Sequence, residues 1–300
     1  MVTVGSASID MSAAVRNPSG TGPFPAIISI GGAGIPIPAT VEQITFGNDA
    51  FVVQNDRAAG TNASSAIIFC NLFGQQHSAG GRASTAWLGV TGCSRNGKVA
   101  FVMGTLEKRI ALMIPQESGS GGSACWHILD SENSKGKAIQ TSGQVVSENV
   151  WFSSNSNAWT TQVVLDPTST TTCWCDSWHR GLYVAENDID WLNPLSTKGY
   201  MKGGRLIYQA LEVPENVGFS LVGGHNHCQF PSGQTAELAQ YMSCFPVNSA
   251  NEAVARRSQH RYRQSSRLFL LNGAFSFPRI LLTGDMTGRG SWGNQRRRAV

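Results

Sequence analysis

The chain has 300 residues, 41% hydrophobic and only 14% charged, which is enough for one large α/β domain or two modest ones. No apolar run approaches the ~20 residues that a bilayer crossing needs, so coiled coil, collagen and transmembrane bundle are all excluded and no membrane partner is expected. The net charge of +4 is unevenly placed: residues 245–300 hold ten Arg against Glu252 and Asp285, leaving residues 1–244 at −4, and an Arg-rich tail of this kind is most often a solvated segment, so no nucleic-acid partner is expected.

In chain order, residues 25–30 form the first apolar strand, stopping at Gly31-Gly32-Ala33-Gly34, and residues 41–46 a second, ended by Gly47-Asn48-Asp49. Residues 87–91 predict a strand, 99–107 a helix, 109–114 a strand and 181–185 another. Helices follow at 203–211 and 234–244, with a strand over 217–222 between them. Short β runs alternating with helices, several apolar on both faces, indicate a mostly parallel sheet covered on both sides.

Abundant Gly, Ser, Thr and Asn, with eight Trp, suit a secreted protein that handles polar polymers. Seven cysteines suit an exported, disulfide-using chain, and the odd count leaves at least one unpaired. Asn62-Ala63-Ser64 is a glycosylation acceptor. The first residues lack the basic start and apolar stretch of a signal peptide, so the expectation is an extracellular monomer whose start is truncated.

Gly92-Cys93-Ser94-Arg95-Asn96-Gly97 lies between a strand and a helix, where small residues permit the sharp turn that lifts a serine hydroxyl above a sheet; the second Gly falls one residue later than in G-x-S-x-G. Glu117 follows the strand 109–114, at the carboxyl edge where open α/β sheets react. The strand 217–222 runs into Gly223-Gly224-His225-Asn226-His227-Cys228, bringing a histidine to the same edge. Serine, acid, histidine is the chain order of the α/β hydrolases. Glu186, Asp188 and Asp190 follow the strand 181–185, the more usual seat of the acid, and compete with Glu117 for that role. A zinc set from His225, His227, Cys228, Cys173 and Cys175 lacks the common C-x₂₋₄-C spacing, so no metal is expected. His77 serves its own loop.

These stretches resemble the fungal glucuronoyl esterases, carbohydrate esterases of α/β-hydrolase fold. The matching segments are 90–98, 115–122, 147–152, 186–192 and 223–231, and the resemblance covers roughly residues 22–244. It implies Ser94 as nucleophile, Glu117 as acid, His227 as base, and a disulfide joining Cys93 to Cys228, which would tie the residue before the nucleophile to the residue after the base. It further implies an oxyanion held by the backbone N–H and guanidinium of Arg95. Lys98, Gln140, Glu148 and Trp191 match the positions that contact a 4-O-methyl-glucuronoyl group; a hydrogen-bonding set of this kind rejects an ordinary fatty ester, and with no apolar lid in evidence a general lipase or peptidase is disfavoured.

The sequence departs from the family at three places. Between residues 80 and 89 a long amphipathic helix is shortened away, so one covering helix of the three-layer sandwich is expected to be missing and the apolar face beneath it to meet water. Residues 159–179 depart from the family, and residues 170–180 match nothing in it; the expectation is a frameshifted segment, in which Cys173 and Cys175 are accidental. The tail after Cys244 has no amphipathic period before residues 268–271, and Tyr200 stands where the family has a cysteine that would pair with Cys125. The expectation is an α/β-hydrolase catalytic domain over 1–244 followed by a basic tail over 245–300. It acts without a cofactor on the esters joining glucuronoxylan to lignin alcohols. The alternative is a non-catalytic carbohydrate-binding or defective relative that keeps the site residues.

Overall fold

The computed structural model describes residues 2–4, 7–9, 13–32, 34–47, 83–107, 109–148, 152, 180–210 and 213–244. The acceptor Asn62, His77, residues 80–82, the 159–179 segment with Cys173 and Cys175, and the basic tail lie outside the described residues.

Among the described residues the main sheet has seven strands. From one edge they are β3 (Ala14–Arg16), β5 (Glu42–Phe46), β4 (Phe24–Ile30), β6 (Ala83–Cys93), β7 (Ile110–Gln116), β8 (Gly181–Glu186) and β9 (Val217–Leu221), all parallel except β3, which pairs antiparallel with β5. A separate antiparallel pair, β1 (Val2–Val4) with β2 (Ala7–Ile9), stands apart from the sheet. Every residue of β8 is buried, and β4 buries five consecutive residues, as expected of parallel strands enclosed on both faces.

Alternate residues of β4, β7 and β8 feed two cores, on opposite faces of the sheet. Ile28, Val90, Met113 and Leu182 pack with Phe101 of α1 (Arg95–Leu106) and with Tyr208 of α4 (Pro194–Ala210). Ile27, Leu112, Ile114 and Tyr183 pack with Leu238 and Tyr241 of α5 (Thr235–Cys244). Helices therefore cover both faces, in the three-layer arrangement read from the sequence. Two further helices, α2 (Trp126–Ser134) and α3 (Ser142–Glu148), lie between β7 and β8.

The stretch in which the missing helix was expected, before residue 83, lies outside the described residues, while residues 83–89 belong to β6. On the α5 face of the sheet Ile27 and Leu112 are both 0% exposed, packed under Ile35, Val41, Tyr241 and Met242. No helix among the described residues is long and apolar enough to cross a membrane.

Several boundaries differ from the sequence reading. Helix α1 begins at Arg95, four residues early, because it starts directly from the turn at Ser94. Helix α4 begins at Pro194, nine residues early: Pro fits the first helical position, and Asn193 caps the end by accepting the Ser196 N–H at 2.8 Å. Strand β7 continues to Gln116, which carries its carboxyl end right up to Glu117.

The far end of α1 is held by Arg180, a 3% exposed residue just before β8. Its guanidinium donates to the carbonyls of Thr105 (2.7 Å), Glu107 (2.9 Å) and Gly104, which the helix leaves without an intrahelical donor. The planar fork of the guanidinium suits this three-way contact, and its charge opposes the negative end of the helix dipole. The helix that begins at the nucleophile turn is thus fixed at both ends.

Candidate active site

Strand β6 hands the chain to α1 through a single residue, Ser94, whose φ of 58° and ψ of −124° are costly for a residue with a side chain. The turn closes tightly: a Cβ on Gly92 would lie 2.5 Å from Asn96 O, and one on Gly97 would lie 2.7 Å from Gln116 O. Only glycine allows these approaches, which explains the small residues around the serine. The turn is tied to β7 by Ser94 N–H donating to Gln116 O at 3.0 Å.

Glu117, at the end of β7, and Cys228, after β9, also have positive φ, 45° and 67°. Three of the four described non-glycine residues with positive φ therefore meet at one place; the fourth is Asn193. Strain collected in this way marks a site whose geometry the surrounding fold over-determines.

The three segments are joined chemically. His227 Nδ1–H donates to Glu117 Oε2 at 2.6 Å, and Cys228 N–H donates to the same oxygen at 3.0 Å. Gln116 Nε2 donates to Glu117 Oε1 at 3.2 Å. Burial pushes the Glu117 carboxyl up, but the bonds from His227, Cys228 and Gln116 outweigh it and hold the carboxyl below its ordinary range. An ionised Glu117 fixes His227 with its proton on Nδ1 and Nε2 free to accept. Nε2 is buried and has no hydrogen-bond partner among the described residues; its bond to Ser94 is not closed in this structure. Apo catalytic bonds of this kind commonly tighten only with substrate.

Cys93 and Cys228 form a disulfide with their Cα atoms 5.7 Å apart, holding Ser94 and His227, the residues on either side of it, as neighbours. The bridge spans 135 positions. Replacing both cysteines by Ala is expected to cost about 3–5 kcal/mol through loop entropy, read as a lower midpoint in denaturant. Activity should also fall, because the Ser94–His227 separation is no longer fixed. A double variant with the wild-type midpoint would show that the link does not hold the fold together.

The other candidate acids are engaged elsewhere. Glu186 is fully enclosed, accepting from Thr197 Oγ1–H at 2.8 Å and from Asn187 N–H at 3.2 Å; burial, with the charge of Glu117 adding, pushes it up to about 7. Asp188 is exposed and accepts the Gly224 N–H at 3.1 Å, and Asp190 sits exposed on a single 3-10 turn. Of the two histidines, His225 turns toward Asn187 and Val222 while His227 meets Glu117. The Cys228 sulfur is bonded to Cys93 and so offers no thiolate for the weighed zinc set, even though ligand atoms of Cys93, His227 and Cys228 lie within 4.8 Å of one another.

Trp191 is 40% exposed and meets the His227 ring edge-on, centroids 4.9 Å apart, while its carbonyl accepts the Gln140 N–H at 3.3 Å. Lys98, one turn along α1 from Ser94, is buried with Nζ donating to Ser118 O at 2.6 Å; burial brings it down to about 8, against the opposing pull of Glu186. Glu148 closes α3, and its side chain lies outside the described residues. Arg95 lines a cleft of about 390 Å³ with Ser94, Asn96, the disulfide, Gly31, Gly32 and Gly34. That glycine loop was read from sequence only as the end of a strand. Its position after β4, opposite the nucleophile turn, was the signal that it faces the site.

A family profile described as glucuronyl esterase of fungi matches residues 1–89 and 84–212. The 4-O-methyl-glucuronoyl methylesterase of Neurospora crassa is 51% identical over 282 residues, with 86% of this chain and 71% of that protein aligned. Its counterpart in Thermothelomyces thermophilus is 50% identical over 280 residues, covering 86% and 70%. Among solved structures, the recombinant glucuronoyl esterase of Sporotrichum thermophile superposes with a TM-score of 0.76 at 48% identity, covering 81% of this chain and 72% of that one. A serine-to-alanine variant of that esterase, in complex with methyl 4-O-methyl-β-D-glucopyranuronate, gives 0.75 at 47%, covering 81% and 71%. With its nucleophile turn, its sheet order and these identities, the chain belongs to the fungal glucuronoyl esterase family.

Proposed function

We propose that this chain is a serine-type carboxylic ester hydrolase cleaving esters of glucuronoyl and 4-O-methyl-glucuronoyl groups, such as those joining glucuronoxylan to lignin alcohols, and that it acts outside the cell as a monomer. The observation that carries the reading is the Glu117–His227 bond, cross-linked through Cys93–Cys228 to the turn bearing Ser94. His227 Nε2 takes the Ser94 proton as Oγ attacks the ester carbonyl. The backbone N–H of Arg95, with its guanidinium, meets the oxyanion. Collapse of the tetrahedral species expels the alcohol, which takes the proton back from His227 and leaves an acyl group on Ser94. A water activated by the same imidazole then adds to that acyl carbon and releases the uronic acid.

The acyl side is the polar one. Lys98 donates, Gln140 donates or accepts, Glu148 accepts, and Trp191 offers an aromatic face to the sugar ring. A fatty ester would leave these groups unpaired, which predicts hydrolysis of benzyl glucuronate at least about 100-fold faster, by kcat/KM, than hydrolysis of p-nitrophenyl butyrate. Equal rates on the two esters would move the reading to a general esterase. A folded protein inactive on both would favour a carbohydrate-binding role.

A further inference from the structure

We propose that Asn187 and His225 form a clamp that positions the catalytic base, an inference that rests on the hydrolase reading above. His227 and Cys228 sit on an exposed loop leaving β9, with Val222, Gly223, Gly224 and Asn226 all open to solvent. Something other than packing must hold this loop against Glu117.

Asn187 is 0% exposed and directly follows β8. Its Oδ1 accepts the Asp188 N–H at 2.8 Å, which fixes the way the carboxamide faces. Nδ2 then points at His225, donating to its carbonyl at 3.1 Å and to its ring Nδ1 at 3.2 Å. That Nδ1 also lies 3.0 Å from Asn226 O and 3.9 Å from Glu117 Oε1. At its other end the ring faces only a carbonyl, so Nε2 carries a hydrogen and donates to Val222 O at 2.8 Å. His225 is thus a strut between the carboxyl ends of β8 and β9. Val222 N–H donating to Glu186 O at 3.1 Å, and Gly224 N–H donating to Asp188 Oδ1 at 3.1 Å, close the same seam.

Two residues beyond the His225 carbonyl, His227 and Cys228 deliver two donors to one oxygen of Glu117. The disulfide secures this turn on the side of Ser94, and the clamp secures it on the side of β8. The chemistry of position 187 is specific. Both of its bonds to His225 come from an amide nitrogen, and a carboxylate of the same size would set an oxygen against the His225 carbonyl. The end of β8 is also where this fold more usually seats its acid. In this chain that seat holds a carboxamide serving the other histidine, which leaves Glu117 sole claim on His227.

Asn187 and His225 are positioning residues, acting through the base without touching substrate, so the test reads the nucleophile as well as turnover. Asn187→Asp and the volume-preserving His225→Phe are compared with wild type for kcat and KM on benzyl glucuronate, for the rate at which phenylmethylsulfonyl fluoride inactivates Ser94, and for thermal midpoint. The expected result is a fall of about 10- to 100-fold in both kcat and inactivation rate for Asn187→Asp, with KM within about twofold and the midpoint little changed, since misplacement of a catalytic group by an ångström has that effect. His225→Phe keeps the carbonyl bond and should lose less. The double variant should lose no more than Asn187→Asp alone, because the two act through one contact. Wild-type kcat and inactivation rates in either folded variant overturn the clamp, as does a loss matched by an equal loss of folded protein. If Asn187→Asp does not fold, His225→Phe carries the same decision. Wild type that is labelled by the sulfonyl fluoride but inert on benzyl glucuronate sinks the substrate reading while the labelling rates still decide the clamp.

Discussion

Ser94→Ala is expected to lower kcat on benzyl glucuronate by at least about four orders of magnitude while leaving the fold unchanged. Removal of a serine nucleophile leaves only the residual catalysis of oxyanion donors and binding, and in triads that act as a unit the loss reaches about 10⁶-fold. The variant should still bind the uronate, because Lys98, Gln140, Glu148 and Trp191 stay in place. Removing Oγ from the strained turn at φ 58° relieves nothing, since Ala has the same Cβ. The measurement is steady-state turnover of both proteins at matched concentration, with circular dichroism as the check on folding. Turnover by Ser94→Ala within about tenfold of wild type would remove Ser94 from the reaction.

Glu117→Gln is the second large effect. A carboxamide matches the carboxylate in size but leaves His227 without the charge that stabilises its imidazolium, and a loss of about 10³- to 10⁴-fold in kcat is expected. This substitution also has a pH signature. The folded Glu117 carboxyl is held below its ordinary range, so its pairing stabilises the protein fully above the unfolded value of about 4.3 and is lost as pH falls through the lower, folded value. The stability difference between wild type and Glu117→Gln should therefore be level at neutral pH and shrink toward zero in acid, measured as urea midpoints across the range. A difference that grew as pH fell would mean that Glu117 is protonated in the native state and cannot serve as the acid.

Much of the fold was legible because parallel strands write themselves as apolar runs. Residues 25–30, 181–185 and 217–222 were recognisable from their neighbours alone, and the structure shifts their ends by at most a residue. Elements governed by distant contacts were harder. β3 is three exposed residues paired with β5, and nothing in Ala14-Val15-Arg16 announces that partner. The first nine residues of α4 carry Gly199 and a run of polar residues, so their periodicity is weak although Pro194 marked the start. Helices α2 and α3 are short and only partly amphipathic, and they were passed over for the same reason.

At the site, the order serine, acid, histidine could be read along the chain, and the family resemblance picked out Glu117 and His227, whereas the residues alone left rival acids and a second histidine open. Glu117 and Glu186 both follow strands at the reactive edge, and His225 and His227 are two residues apart. The choice between them is made by the positive φ at Glu117 and Cys228, and backbone strain of that kind has no signature in the residues that bear it. Asn187 escaped notice because a carboxamide next to two acids reads as ordinary loop polarity.

Arg180 sets a limit on how far this chain can drift. Its guanidinium is seated among three carbonyls at the tip of the helix that starts at Ser94, and a lysine ammonium, a single point of charge, cannot span them. An insertion or a change of register extending one position too far would be felt at the opposite end of α1, in the orientation of the hydroxyl that does the chemistry.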